Sequence, residues 1–224
     1  MSYDKVVIRK MLKDLEELGE NKLLKEIMKE FNINKKIRLY YSKKRYIPVA
    51  TLPRFNLIVS SKRGFITFYY NFYAFMHMRG TILPLVKDTM IFVARCVLSH
   101  EIGHILDENL PNNRKEHTSL IANLTEKIIH HNIDIQKEAE SKTQLPIEVD
   151  NIVIDLKRNL IERETKAWDI GKQIIKFNNN NEEKLFYKMK EYALATYNYG
   201  DLATIISDNN LETTIKFKKL LQGL

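Results

Sequence analysis

Cysteine is all but missing from this 224-residue chain: Cys96 stands alone. One thiol closes no intramolecular disulfide, so the sequence predicts a protein of a reducing compartment. Only 7 glycines and 5 prolines are present, which excludes collagen-like and linker-like chains. The N-terminus, Met1-Ser2-Tyr3-Asp4-Lys5, leads into a charged segment and not into the apolar stretch of a secretory signal. The longest apolar region, Ile82 to Leu98, is interrupted by Lys87, Asp88 and Arg95. It falls short of the roughly 18 unbroken apolar residues of a membrane span. These absences together predict a cytoplasmic protein with no membrane association. Neither charge sign is scarce, since 36 Lys and Arg against 28 Asp and Glu leave +8. So small an excess, dispersed apart from short clusters such as Lys43-Lys44-Arg45, reads first as solvated surface and only second as nucleic-acid contact.

What the chain does have is apolar material, 44% of its residues, enough to bury a sizeable core. Val7, Met11, Leu15, Leu18, Leu23, Ile27 and Phe31 recur at helical spacing and predict one amphipathic helix, or a pair broken near Gly19. Segments 37–41, 54–59 and 65–70 are rich in β-branched and aromatic residues and predict three strands, the last two joined by a hairpin through Gly64. After Pro84 the pattern turns helical through Glu108 and stops at Asn109-Leu110-Pro111. Further helices are predicted over 118–142, 146–177 and 182–197, and from 201 onward with a break at Asp208-Asn209-Asn210. The run Asn178-Asn179-Asn180-Asn181 marks a loop. The expected fold class is α+β, mainly helical, with a small antiparallel sheet ahead of the helix that carries His100. Segments 1–111 and 112–224 are expected to form one catalytic unit.

Inside the helix predicted to end at Glu108 stands His100-Glu101-Ile102-Gly103-His104, the pattern H-E-x-x-H. Residues four apart share a helix face, so both imidazoles can be aimed at one metal ion with Glu101 beside them. Met90 to Ile105 is apolar nearly all round, which predicts burial. Two histidines and a glutamate buried there need partners, and a metal ion would supply them. The competing reading has both imidazoles hydrogen-bonded within an ordinary core. Ser99 and Cys96 flank the motif with no base arranged beside them and are assigned to packing.

A catalytic zinc site has three protein ligands and one open position, so a third ligand must come from elsewhere. On a helical wheel Glu164 falls in an apolar stripe with Leu160, Ala167, Trp168, Gly171 and Ile175, whereas Glu162 points away with Lys166 and Asp169. A carboxylate in an apolar stripe is costly unless it is paired or metal-bound. Glu164 is therefore the preferred third ligand, and a buried ion pair with Arg95 or Arg163 is the alternative role for it. His117, His130, His131, Asp107 and Glu108 stay open for the third position, with Asp107 also suited to holding a ligating histidine.

An H-E-x-x-H helix preceded by a small sheet and followed by Glu164-Thr165-Lys166-Ala167-Trp168 resembles the zincin metallopeptidases of the glutamate-ligand type. Within them it is most similar to the ImmA/IrrE-like group. The likeness covers about a third of the chain, and the stretch between His104 and Glu164, with its extra predicted helix, is longer than the group's pattern. The resemblance implies Zn2+ at His100, His104 and Glu164, and Glu101 as base. It also implies an intracellular protein substrate, often a transcriptional regulator of a mobile element. The chemistry expected of such residues is peptide hydrolysis: zinc acidifies water toward a pKa of ~7 while Glu101 moves the proton. Tyr192, Tyr197, Tyr199, His130 and His131 are the candidate oxyanion donors. The alternative is a zincin-like regulatory protein that binds a protein or nucleic acid without cleaving it.

Overall fold

The computed structural model describes residues 5–18, 20–84, 86–135, 138, 144–198 and 202–221, and its fold is mainly helical α+β. Helices α1 (Lys5–Leu18) and α2 (Glu20–Glu30) come first. Val7, Met11 and Leu15 form the buried stripe of α1, and Leu24 and Ile27 that of α2. The break expected at Gly19 falls between them, on a residue outside those described.

Strands β1 (Arg38–Ser42), β2 (Ala50–Leu52) and β3 (Leu57–Ser61) form one sheet in the order β1-β3-β2. β1 runs parallel to β3, with Tyr40 opposite Val59, and β2 runs antiparallel to it, with Thr51 opposite Ile58. The sheet is therefore mixed where an antiparallel one was expected. Residues 54–56 do not join β3, because Pro53–Phe55 make a 3-10 turn that closes on Asn56 at φ 45°.

The strand expected over 65–70 is instead part of helix α3 (Lys62–Met78). Aromatics and isoleucine favour a strand over a short window, but Phe65, Ile66, Tyr69, Phe72 and Met76 are buried at helical spacing over a longer one. Ser61 starts the helix. Its Oγ accepts from Gly64 N at 3.0 Å and from Ile47 N at 2.9 Å, and donates to Ile47 O at 2.9 Å. One hydroxyl thus uses its single donor and both acceptor sites to cap α3 and tie it to the loop before β2.

Helix α4 (Lys87–Leu106) begins exposed at Lys87 and Asp88 and is buried or partly buried from Thr89 onward. By length and composition it could cross a membrane, but most of it lies inside the fold, as the core helix of a folded unit does. The chain divides into two compact units, Met1–Asp107 with Thr165–Tyr192, and Glu108–Glu164 with Ala193–Leu224. The return of residues 165–192 to the first unit was not foreseen.

The second unit holds α5 (Leu110–His130), the first part of α6 (Ile147–Ile174), the end of α7 (Asn180–Asn198), α8 (Leu202–Asp208) and α9 (Leu211–Leu221). Pro111 opens α5 and does not end a helix, because the first turn has no use for its missing N–H. The core is aliphatic: Leu124 and Ile128 of α5, Val149 and Ile152 of α6, Leu202 of α8 and Ile215 of α9. Asn210, at φ 53°, makes the break expected between α8 and α9. In the asparagine run, Asn179 Oδ1 accepts the N–H groups of Asn181 and Glu182 at 3.0 and 3.1 Å. That run is half loop and half cap to α7.

Candidate metal centre

The helix α4 presents His100 and His104 on one face, with ring centroids 4.7 Å apart. His100 is 8% exposed and Glu101 7%. The partner helix is α6, and glycines set its approach. A Cβ on Gly103 would stand 2.1 Å from Ala167 O, and one on Gly171 would stand 2.9 Å from Ser99 O. Glycine inside a helix costs about 1 kcal/mol relative to alanine, so its presence here is explained by backbone approaching backbone. Passing from Ser99 to Gly103 along α4 matches passing back from Gly171 to Ala167 along α6, and the two helices therefore run antiparallel.

That register stacks the Trp168 indole on the His100 ring, with centroids 4.5 Å apart and planes 25° from parallel. One turn before Trp168 is Glu164, buried at 9% exposure, while Glu162 is exposed as the wheel predicts. Glu164 lies on the same helix as Ala167 and Trp168.

One ligand atom from each of His100, His104 and Glu164 lies within 4.8 Å of the other two. Tetrahedral bonds of ~2.0–2.1 Å place zinc ligands about 3.4 Å apart, so side-chain rotation of at most about 1.4 Å closes the set on one ion. Two imidazoles and a carboxylate are the donor types zinc takes at a catalytic site, and the residues present fit it. Among the described residues no other group of His, Cys, Asp or Glu converges in this way.

The alternatives are engaged in other ways. Arg95 pairs with Glu30 at 3.1 Å and donates to Lys176 O at 2.7 Å, whereas Arg163 feels the charge of Glu164 but makes no ion-pair contact among the described residues. His117 Nε2 bonds Asn209 Oδ1 at 3.2 Å. His131 lies 3.7 Å from Glu148 at the end of α5, next to His130. Asp107 is buried one turn beyond His104, where its N–H caps α4 through Gly103 O at 2.9 Å, and Glu108 is exposed. Of the expected oxyanion donors, Tyr192 packs among Phe68, Phe72 and Phe75, with its phenol pKa raised by burial. Tyr197 lines a cavity in the second unit, and Tyr199 lies outside the described residues. Burial also pushes the Cys96 thiol far up, and Ser99 Oγ donates to Cys96 O at 2.8 Å, so both act as packing.

Sequence reasoning missed β2. Thr51 Oγ1 donates to Glu101 O at 3.0 Å, which fixes this edge strand beside the motif. Its other edge faces no strand among the described residues. Comparison with known proteins gave no match to any family model, curated protein or solved structure.

Proposed function

We propose that this chain is a zinc-dependent metallopeptidase that hydrolyses peptide bonds of an intracellular protein. The observation that carries the reading is the convergence of His100, His104 and Glu164, with Glu101 buried on the same helix turn. Zinc held there supplies a Lewis acid that polarises a peptide carbonyl and acidifies water toward a pKa of ~7. The rest falls to the chain's own groups. Glu101 takes the proton of the attacking water and hands it to the leaving amine. Its carboxylate has no ion-pair partner among the described residues, and a buried carboxylate without one needs a positive charge close by. Trp168, flat against His100, holds that ring to one orientation and keeps water from its face.

The edge of β2 gives a substrate a place to lie. An extended peptide adding to that edge gains main-chain hydrogen bonds and passes beside Glu101, which Thr51 ties to the strand. A short edge of three residues, Ala50–Leu52, recognises a short stretch, so selectivity must draw on side chains as well. The lone, buried Cys96 is in keeping with a cytoplasmic substrate and enzyme. The test is metal content of the purified chain beside His104→Ala and Glu164→Ala, matched for fold by circular dichroism. About one zinc per chain, lost in both variants, supports the centre. A wild-type chain that takes up no zinc when it is supplied overturns it. Zinc retained in Glu164→Ala removes the carboxylate from the ligand set.

A further inference from the structure

The second unit contains a cavity of about 280 Å³ that the metal centre does not use. It lies among α5, α6, α7 and α8, and its most informative wall is His117. The Asn209 amide donates through Nδ2 to Ile205 O at 2.8 Å, so the end that meets His117 Nε2 at 3.2 Å is the oxygen. An acceptor there obliges Nε2 to carry the hydrogen. Burial lowers the pKa of His117, the bond to Asn209 opposes that shift, and the nearby charge of Arg163 adds to it. The ring is then neutral near pH 7, and Nδ1 is a bare acceptor. Nδ1 is buried and has no hydrogen-bond partner. Sealed from solvent, Nδ1 is not itself a wall of the cavity, and the ring reaches the cavity as a neutral surface fixed by Asn209.

The other walls sort by chemistry. Arg163 and Lys157, both on α6 and both partly buried, bring two cations to the cavity. Neither is in an ion pair among the described residues. Leu156, Leu160 and Ile205 bring an aliphatic surface, and Asp208 stands exposed at the mouth. The planar Arg163 guanidinium is partly desolvated and feels the charge of neighbouring Glu164, but it makes no ion-pair contact among the described residues, so it is suited to a carboxylate, which it can hold through two parallel hydrogen bonds. The volume is at the small end of ligand pockets, which run from ~300 to 1,000 Å³, so the occupant is small.

We propose that this cavity binds an aliphatic α-amino acid through its carboxylate, either free or as the last residue of a peptide. The carboxylate pairs with Arg163 and Lys157, and the side chain lies on Leu156, Leu160 and Ile205 with the His117 ring in the same wall. Asp208 at the mouth balances a free ammonium where there is one. The cavity lining shares no residue with the metal centre, although Arg163 adjoins Glu164 and feels its charge.

The test follows the His117 ring signals by NMR in the full-length chain, assigned with His117→Gln. L-leucine, the tripeptide alanyl-alanyl-leucine and its C-terminal amide are titrated in turn. The expected result is a saturable shift of the His117 ring with a carboxylate ligand, at least about tenfold weaker for the amide. Saturation by L-leucine identifies a free amino acid, and saturation by the tripeptide alone identifies a peptide end. Arg163→Gln is expected to weaken binding by at least about tenfold. Lys157→Gln, at the second cation, serves the same purpose should Arg163→Gln not fold. No shift of His117 up to about 10 mM ligand overturns the proposal. So does equal binding of acid and amide, or binding that survives loss of the cation.

Discussion

Two helical histidines, His100 in the first unit and His117 in the second, start from the same chemistry and arrive at different states. The helix facing His100 brings Trp168 to its face and Glu164 to the ligand set that it shares with His104. His117 meets one amide, Asn209, and the charge of Arg163. The first arrangement gathers three donors that can share a cation, and the second leaves a neutral ring with one acceptor to spare. Imidazole chemistry is common to both, so the neighbours decide what each ring does.

Variants that separate the two environments test this comparison, and the largest effects are expected at the metal centre. Glu101→Gln should keep the zinc and lower peptide hydrolysis by about 10²–10⁴-fold, whereas His104→Ala loses metal and activity together. Metal analysis beside a peptidase assay reads both, and undiminished hydrolysis by Glu101→Gln would remove it as the base.

Next in size are two core substitutions of similar cost and different consequence. Gly103→Val must displace the backbone of α6 at Ala167 and should cost about 3 kcal/mol or more by urea unfolding, with zinc uptake lost. Leu124→Ala in the aliphatic core of the second unit should cost about 2–5 kcal/mol and leave zinc uptake in the folded fraction intact. Equal loss of metal in both would show that the centre answers to global stability and not to the glycine contact.

A smaller change is expected at β2. Thr51→Val removes the hydroxyl that bonds Glu101 O and should cost about 1 kcal/mol. The subtlest difference is one of pH. Burial lowers the pKa of native His117, so the unfolded chain binds more protons from about 6.5 downward. Stability contributed by the neutral ring is complete above that value and declines as the solution is acidified through the window down to the native pKa. His117→Gln should flatten this part of the pH dependence in denaturant titrations. An unchanged slope would assign the acid sensitivity to other groups.

How much of this was legible follows from where each signal is stored. The H-E-x-x-H pair and the buried address of Glu164 are periodicities within single helices, and both could be read residue by residue. The strand expected over 65–70 failed because Phe65, Ile66, Tyr69 and Tyr70 satisfy strand and helix patterns equally over six residues, and only the cap at Ser61 and burial out to Met76 separate them. The position of β2 left almost no trace, since three residues, Ala50–Leu52, carry too little pattern to stand out. The parallel pairing of β1 with β3 likewise depends on how the chain crosses between them.

By itself the sequence determined the helical periodicities, the α+β class and which faces of α4 and α6 are apolar, because each of these is written in residues within a few turns of one another. The tertiary structure alone decided that Gly103 meets Ala167 and Gly171 meets Ser99, that Trp168 covers His100, and that Glu164 reaches the two histidines. Those outcomes depend on the register between helices far apart in the chain. No local pattern encodes that register, and it is set by where two backbones can approach without a side chain between them.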